Sequence, residues 1–251
     1  MIRAVLSTVS FIVATLLGSV GALVLGALDR TGDLVFWLAR LWARVILGVP
    51  GIKLEVKMRA PLDPARPYVF MPNHASMVDI WVMFVAIPAS FRFIAKKQLA
   101  SIPLFGWAMS AGRFIFIDRQ NAASARRTMA LAAQRIRSGQ SVVIFPEGTR
   151  TRDGRLGAFK KGGFHLAMES GAAIVPVAIR GSREVMPRGA ALIRAGSVSL
   201  ELGEPIPTAG VAASDRDALI AQVRGRVAAM LGEAVEPGEP GASGSASPPG
   251  Q

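Results

Sequence analysis

The stretch YVFMPNHASMVDIWVMFVAI, Tyr68 to Ile87, carries the reading of the fold. It opens with a short β-type run, YVFMP (Tyr68 to Pro72), and closes with a helix candidate, Ser76 to Ile87. Between them lies the polar turn that starts at Asn73. Further β-type runs lie on either side: KLEVKM (Lys53 to Met58), RFIFI (Arg113 to Ile117), SVVIFP (Ser141 to Pro146), AIVPVAI (Ala173 to Ile179) and SVSLEL (Ser197 to Leu202). Helix candidates fall between them at Asn121 to Arg137 and Gly162 to Glu169, the first carrying Ala122, Ala125, Met129, Ala132 and Ile136 on one face. Such alternation predicts an α/β domain with a mostly parallel central sheet flanked by helices. Ligands in these folds bind where strands end.

Three strand ends carry chemistry. After YVFMP comes Asn73-His74-Ala75-Ser76-Met77-Val78-Asp79, after RFIFI comes Asp118-Arg119, and after SVVIF comes Pro146-Glu147-Gly148-Thr149-Arg150. His74 and Asp79 suit a dyad in which the carboxylate fixes one imidazole tautomer and leaves the other nitrogen as general base. The competing reading is a surface histidine beside a helix-capping box, Ser76-Met77-Val78-Asp79. From Phe91 to Ser138 there are nine cations against one acid, Asp118. Most of those between Arg126 and Arg137 read as a solvated helix face. Arg119, Arg150 and Lys160 lie in loops near strand ends, where basic side chains grip phosphate oxygens. Glu147, an acid among cations, reads as an acceptor of a substrate hydroxyl or a holder of an arginine.

Composition narrows the partners. The 251 residues hold 29 Lys plus Arg, 17 Asp plus Glu, 2 His and no Cys, giving a net charge of +12. No disulfide framework, thiolate metal site or cysteine nucleophile is available, and two histidines leave little for a metal centre. A basic chain with mean hydropathy +0.39 suits nucleic acid, an anionic membrane or a phosphorylated substrate. Ala4 to Leu28 is free of charge for 25 residues, roughly 37 Å as a helix, enough to cross the ~30 Å hydrocarbon core. A cleaved signal peptide is the alternative. Leu34 to Val49, with Arg40 and Arg44 one turn apart, reads as an interfacial helix whose arginines snorkel to headgroups, or as a buried soluble helix. Ser214 to Leu231 is a core-packing helix opened by a Ser214/Asp217 capping box, and Val235 to Gln251 is too poor in apolar residues to order. The expected organisation is 1–49 membrane-embedded helices, 50–232 a catalytic α/β domain, and 233–251 a disordered tail.

NHxxxxD at Asn73 to Asp79, followed 68 residues later by the glutamate of FPEGTR (Phe145 to Arg150), resembles the glycerolipid acyltransferase family. IDR (Ile117 to Arg119), FKKG (Phe159 to Gly162) and IVPVAI around Pro176 extend the likeness over roughly Tyr68 to Gly181. The resemblance implies that His74 deprotonates an acceptor hydroxyl, that Asp79 orients His74, and that the alkoxide attacks the thioester of acyl-CoA or acyl-acyl carrier protein. Arg119, Glu147, Gly148, Thr149, Arg150 and Lys160 would then bind the acceptor. Gly112 stands seven residues before Arg119, one more than the family block suggests, and is not carried over. Thr151 stands where serine is frequent, and His165 matches no motif. A thioester is already activated, so this chemistry calls for no metal or redox cofactor. Backbone amides after His74 or near Gly148 are the oxyanion candidates. The implied acceptor is lysophosphatidic acid, giving phosphatidic acid. Another lyso-lipid, such as a lyso-ornithine lipid or lysophospholipid, is the near alternative, and a non-catalytic basic protein that binds lipid or nucleic acid the distant one. No nucleic-acid partner is expected. The body is expected on the cytoplasmic face of the inner membrane.

Overall fold

The computed structural model describes residues 2–190 and 192–233; the expected disordered tail beyond 233 lies outside them. Seven strands form one sheet: β1 (Ile52–Met58), β2 (Val69–Pro72), β3 (Phe91–Lys96), β4 (Ile115–Ile117), β5 (Ser141–Val143), β6 (Ile174–Arg180) and β7 (Gly196–Leu202). Their order is β1-β7-β6-β2-β5-β3-β4. Every neighbouring pair is parallel except β6 with β7. The mostly parallel sheet expected from the alternation is therefore present, and it puts β2 at its centre with both faces covered. The four residues of β2 are all buried, as a central strand requires.

The helices are α1 (Ile2–Leu28), α2 (Asp33–Gly48), α3 (Val78–Ala86), α4 (Phe105–Ala111), α5 (Ala122–Arg137), α6 (Lys161–Ser170), α7 (Ser182–Val185) and α8 (Arg216–Leu231). On one face of the sheet, Phe36 and Ile46 of α2 and Trp81 and Phe84 of α3 bury against Phe91 and Val177. Phe36, Phe84 and Phe91 meet with ring centroids 5.1 to 5.7 Å apart. Each such pair adds ~0.5–1.5 kcal/mol beyond its burial. On the other face, Ala132 and Ile136 of α5, Phe164 of α6 and Val223 and Val227 of α8 pack on Val69 and Val142. Asn121 caps α5 by accepting from the Ser124 amide at 2.9 Å, and the five small and apolar positions named from sequence lie on that helix.

The structure departs from expectation at several places. Strand β3, FRFIAK, falls in a run that reads from sequence mainly as a supply of cations. Helix α4 likewise has no counterpart among the expected elements. At α8 the capping box does not form, because Ser214 sits in a 3-10 turn and turns its hydroxyl to Asp215. Arg40 does not snorkel: it is 7% exposed and donates to the carbonyls of Val85 and Ile87 at 3.2 and 2.7 Å. Those carbonyls end α3 without helical partners, and a guanidinium at a helix C-terminus satisfies both hydrogen bond and dipole. Arg44 is exposed.

Helix α1 packs on α2 and α4 and leaves an apolar face open. Leu6, Val13, Leu17, Val24 and Leu28 on it are 48% to 76% exposed. Leu34, Trp37 and Leu41 of α2 are also exposed, at helical spacing. Among the described residues, Leu6–Leu28 is the one segment long and apolar enough to cross a membrane.

Candidate active site

The central strand β2 ends at Pro72 and delivers Asn73 and His74 to the C-terminal edge of the sheet. Asn73 is buried; its side chain donates to the Ile179 carbonyl at 3.0 Å and accepts from the Ile179 amide at 2.7 Å. It thus prolongs the β2–β6 ladder by a side-chain mimic of one peptide unit. His74 leaves the strand with its ring stacked on Phe145, centroids 3.9 Å apart. Its Nδ1 lies 2.8 Å from Asp79 Oδ2. The same oxygen accepts from the amides of Ala75 and Ser76, each at 2.8 Å, and the Val78 amide donates to Ser76 Oγ. The His74–Asp79 contact is present, but the capping box is not closed: α3 begins after Met77 with no side-chain cap, and the carboxylate instead holds the imidazole and the turn that leads into the helix. Because a carboxylate only accepts, Nδ1 carries the hydrogen and Nε2 is the free base. Asp79 is fully buried, and its Oδ1 is unpartnered among the described residues.

His74 opens on a cavity of about 380 Å³. Lys96, Arg119, Gly148, Thr149 and Arg150 line its polar part, and Thr15, Gly18 and Ala22 of α1 with Leu38 and Trp42 of α2 line its apolar part. The site thus joins cations at the strand ends to a greasy slot walled by α1. Arg119 reaches across to donate to the Gly148 carbonyl, linking the loop after β4 to the loop after β5.

The Acyltransferase family profile matches residues 53–180. The chain belongs to the acyltransferase family. It is 33% identical over 197 residues to the chloroplastic 1-acyl-sn-glycerol-3-phosphate acyltransferase of Arabidopsis thaliana, covering 78% of this chain and 53% of that protein. Human 1-acyl-sn-glycerol-3-phosphate acyltransferase beta is 35% identical over 171 residues, 68% of this chain and 62% of that one. The chain spans about half the length of the first of these relatives. The crystal structure of the 1-acyl-sn-glycerophosphate acyltransferase PlsC from Thermotoga maritima shares the fold, with a TM-score of 0.76 at 24% identity, over 94% of this chain and 99% of that one.

In this acyltransferase-family chain Glu147 stands apart from the other site residues. It is 5% exposed; its Oε1 accepts from the His74 amide at 2.6 Å and its Oε2 from the Gly157 amide at 2.9 Å. Among the described residues it pairs with no arginine, and it does not line the cavity. Both carboxylate oxygens thus tie the strand-end motif of His74 to the loop at Gly157. Burial pushes its carboxyl up to about 7, against the pull of the Gly157 and His74 amides, and Asp79 and Glu233 push it up further. Gly157 is a glycine for the same reason: a Cβ there would lie 2.9 Å from Glu147 Oε2. Gly148 has φ +75 and carries the Lys160 side chain above it, so Lys160 packs on the loop rather than lining the cavity. The amides of Ala75 and Ser76 serve Asp79, and that of Gly148 serves the Phe145 carbonyl. These three proposed oxyanion donors are already engaged.

Sequence reasoning passed over Lys96 and Phe145. Lys96 ends β3, and recognising FRFIAK as a strand would have marked it as a strand-end residue like Arg119. Phe145 is part of FPEGTR, and only the tertiary stacking reveals it as the floor beneath His74. His165 is apart from the site, with Nε2 accepting from Arg216 at 2.9 Å.

Proposed function

We propose that this chain is a membrane O-acyltransferase that moves an acyl group from acyl-CoA or acyl-acyl carrier protein to the sn-2 hydroxyl of 1-acyl-glycerol-3-phosphate, giving phosphatidic acid. The observation that carries it is the His74–Asp79 dyad at the polar end of a cavity whose apolar end is walled by α1 and α2. A lyso-lipid has both parts, a phosphate for the cations and a chain for the slot. The names of the relatives point to the same acceptor.

In this reading Nε2 of His74 takes the proton of the acceptor hydroxyl as its oxygen bonds to the thioester carbonyl carbon. Asp79 stabilises the imidazolium that forms. Collapse of the tetrahedral intermediate breaks the carbon–sulfur bond, and the leaving thiolate recovers the proton from Nε2. General-base catalysis is worth ~10²–10⁴-fold, and positioning by Lys96, Arg119 and Arg150 supplies much of the rest. The apolar faces of α1 and α2 seat the domain on the bilayer, with the basic body on the cytoplasmic side, where thioester donors are made.

The test is an acceptor screen in detergent with labelled acyl-CoA and acyl-acyl carrier protein, against lysophosphatidic acid, lysophospholipids and a lyso-ornithine lipid. His74→Ala is expected to abolish transfer while the protein still floats with vesicles. Full activity in that variant would sink the mechanism, and preference for another acceptor would reassign the substrate.

A further inference from the structure

A second cleft, of about 530 Å³, opens at the opposite edge of the sheet. Arg30, Asp33, Ser90, Arg113, Arg135 and Gln140 line it. Ser90 precedes β3, Arg113 lies just before β4 and Gln140 precedes β5, three neighbouring parallel strands. His74, Arg119 and Arg150 follow the other ends of such strands. Arg113 precedes β4 and Arg119 follows it, so the length of that strand lies between the two sites.

Three arginines meet one carboxylate here, and that carboxylate is already taken. Asp33 Oδ1 pairs with the fully buried Arg92 at 2.9 Å and accepts from Ser90 Oγ at 2.8 Å. Among the described residues, Arg30, Arg113 and Arg135 have no acidic partner within ion-pair distance. Arg30 and Arg113 are exposed and Arg135 is half-buried, and the last two side chains are held by backbone carbonyls. Arg135 Nη1 donates to the Arg113 carbonyl at 2.8 Å, and Arg113 Nε donates to the Arg30 carbonyl at 3.1 Å. Burial, then the charges of Arg113 and Arg92, draw the Arg135 guanidinium below its ordinary pKa, the mark of cations held close without a counter-ion. Arg113 keeps φ +60 without being glycine. Gln140 Oε1 is buried and unpartnered among the described residues, an acceptor for a ligand hydroxyl.

We propose that this cleft binds a phosphate group, gripped by Arg30, Arg113 and Arg135. A fork of guanidinium donors matches phosphate oxygens, and the bound charge relieves the repulsion among the arginines. Two sources supply that chemistry: a soluble phosphate compound and the headgroup of an anionic phospholipid. The lipid source rests on the membrane reading of α1, since Arg30 follows the last residue of that helix, Leu28, by two positions. Binding would clamp the α1–α2 turn to β3, β4 and α5.

The experiment compares the full chain with Arg30→Gln/Arg113→Gln and with Arg119→Gln, the last removing a cation of the catalytic edge. Inorganic phosphate is titrated calorimetrically in detergent, and vesicle flotation compares phosphatidylcholine alone with phosphatidylcholine plus phosphatidylglycerol. The double variant is expected to lose at least about tenfold in affinity for one of the two probes, each lost charge-assisted bond being a large share of anion binding, while Arg119→Gln keeps the cleft's affinity. Loss with inorganic phosphate supports the soluble source, and loss confined to phosphatidylglycerol vesicles supports the lipid source. Unchanged affinity for both overturns the proposal. Should the double variant fail to fold, phenylglyoxal labelling of the unaltered protein with peptide mapping decides: phosphate or phosphatidylglycerol must protect Arg30 and Arg113, and absence of protection by either refutes it. Because the cleft is read by binding, its failure is separable from failure of acyl transfer.

Discussion

Replacing Glu147 with glutamine tests the buried tie between the two motifs. The carboxyl is pushed up to about 7 from an ordinary 4.5. Below about pH 4.5 the folded and unfolded chains both carry the proton. Between there and about 7 only the folded chain holds it, so each step up in pH favours the unfolded chain; above about 7 the penalty is complete. About two and a half pH units at ~1.4 kcal/mol each make it on the order of 3 kcal/mol. Glutamine has no proton to lose, so this part of the pH dependence disappears. Its NH2 must face one of the two amides that Glu147 now accepts, a pH-independent cost of ~1–3 kcal/mol. The Tm of the unaltered protein minus that of Glu147→Gln is therefore expected to fall between pH 4.5 and 7.5. At ~2–4 °C per kcal/mol for a chain of this size, the fall is roughly 6–12 °C. Thermal unfolding followed by intrinsic tryptophan fluorescence in detergent micelles measures it. A difference that stays flat across that range would refute the reasoning. The same variant separates a tie from a substrate contact, because a tie moves kcat through His74, whereas a direct contact chiefly raises the acceptor KM.

The remaining predictions concern the dyad, the phosphate grip and the seat of α1. Asp79→Asn is expected to lower kcat by ~10²–10⁴-fold with little change in KM, since the imidazolium loses its counter-charge and an amide must occupy the space around Oδ1; steady-state kinetics with KM rising and kcat intact would contradict it. Arg119→Ala should chiefly raise the apparent KM for a phosphorylated acceptor, and an unchanged KM counts against a phosphate contact. Gly26→Leu should cost ~1–3 kcal/mol by overpacking, because a Cβ at Gly26 would lie 2.6 Å from Ala111 Cβ; an unaltered Tm would mean that α1 is not seated on α4.

Much of this protein is legible in the sequence. The strand, polar turn and helix from Tyr68 to Ile87 give the α/β class, because hydrophobic period and turn chemistry are local properties of a chain. The 25 uncharged residues after Arg3 give an apolar helix for the same reason, and the spacing of His74 and Asp79 lies within one turn and one helical step. Tertiary structure decided what depends on partners far along the chain. Arg40 looked like an interfacial cation until α3, 45 residues on, presented its terminal carbonyls. Glu147 reads in sequence as a substrate contact or the holder of an arginine, and only the fold shows the amide of His74, 73 residues earlier, on its oxygen. Arg92 vanished into a count of cations although it is buried against Asp33, 59 residues away. A charged side chain reads as exposed in sequence because water is its default partner. Only the fold reveals which charges have exchanged that partner for a carbonyl, an amide or a carboxylate, and that Arg30, Arg113 and Arg135 have no acidic partner among the described residues.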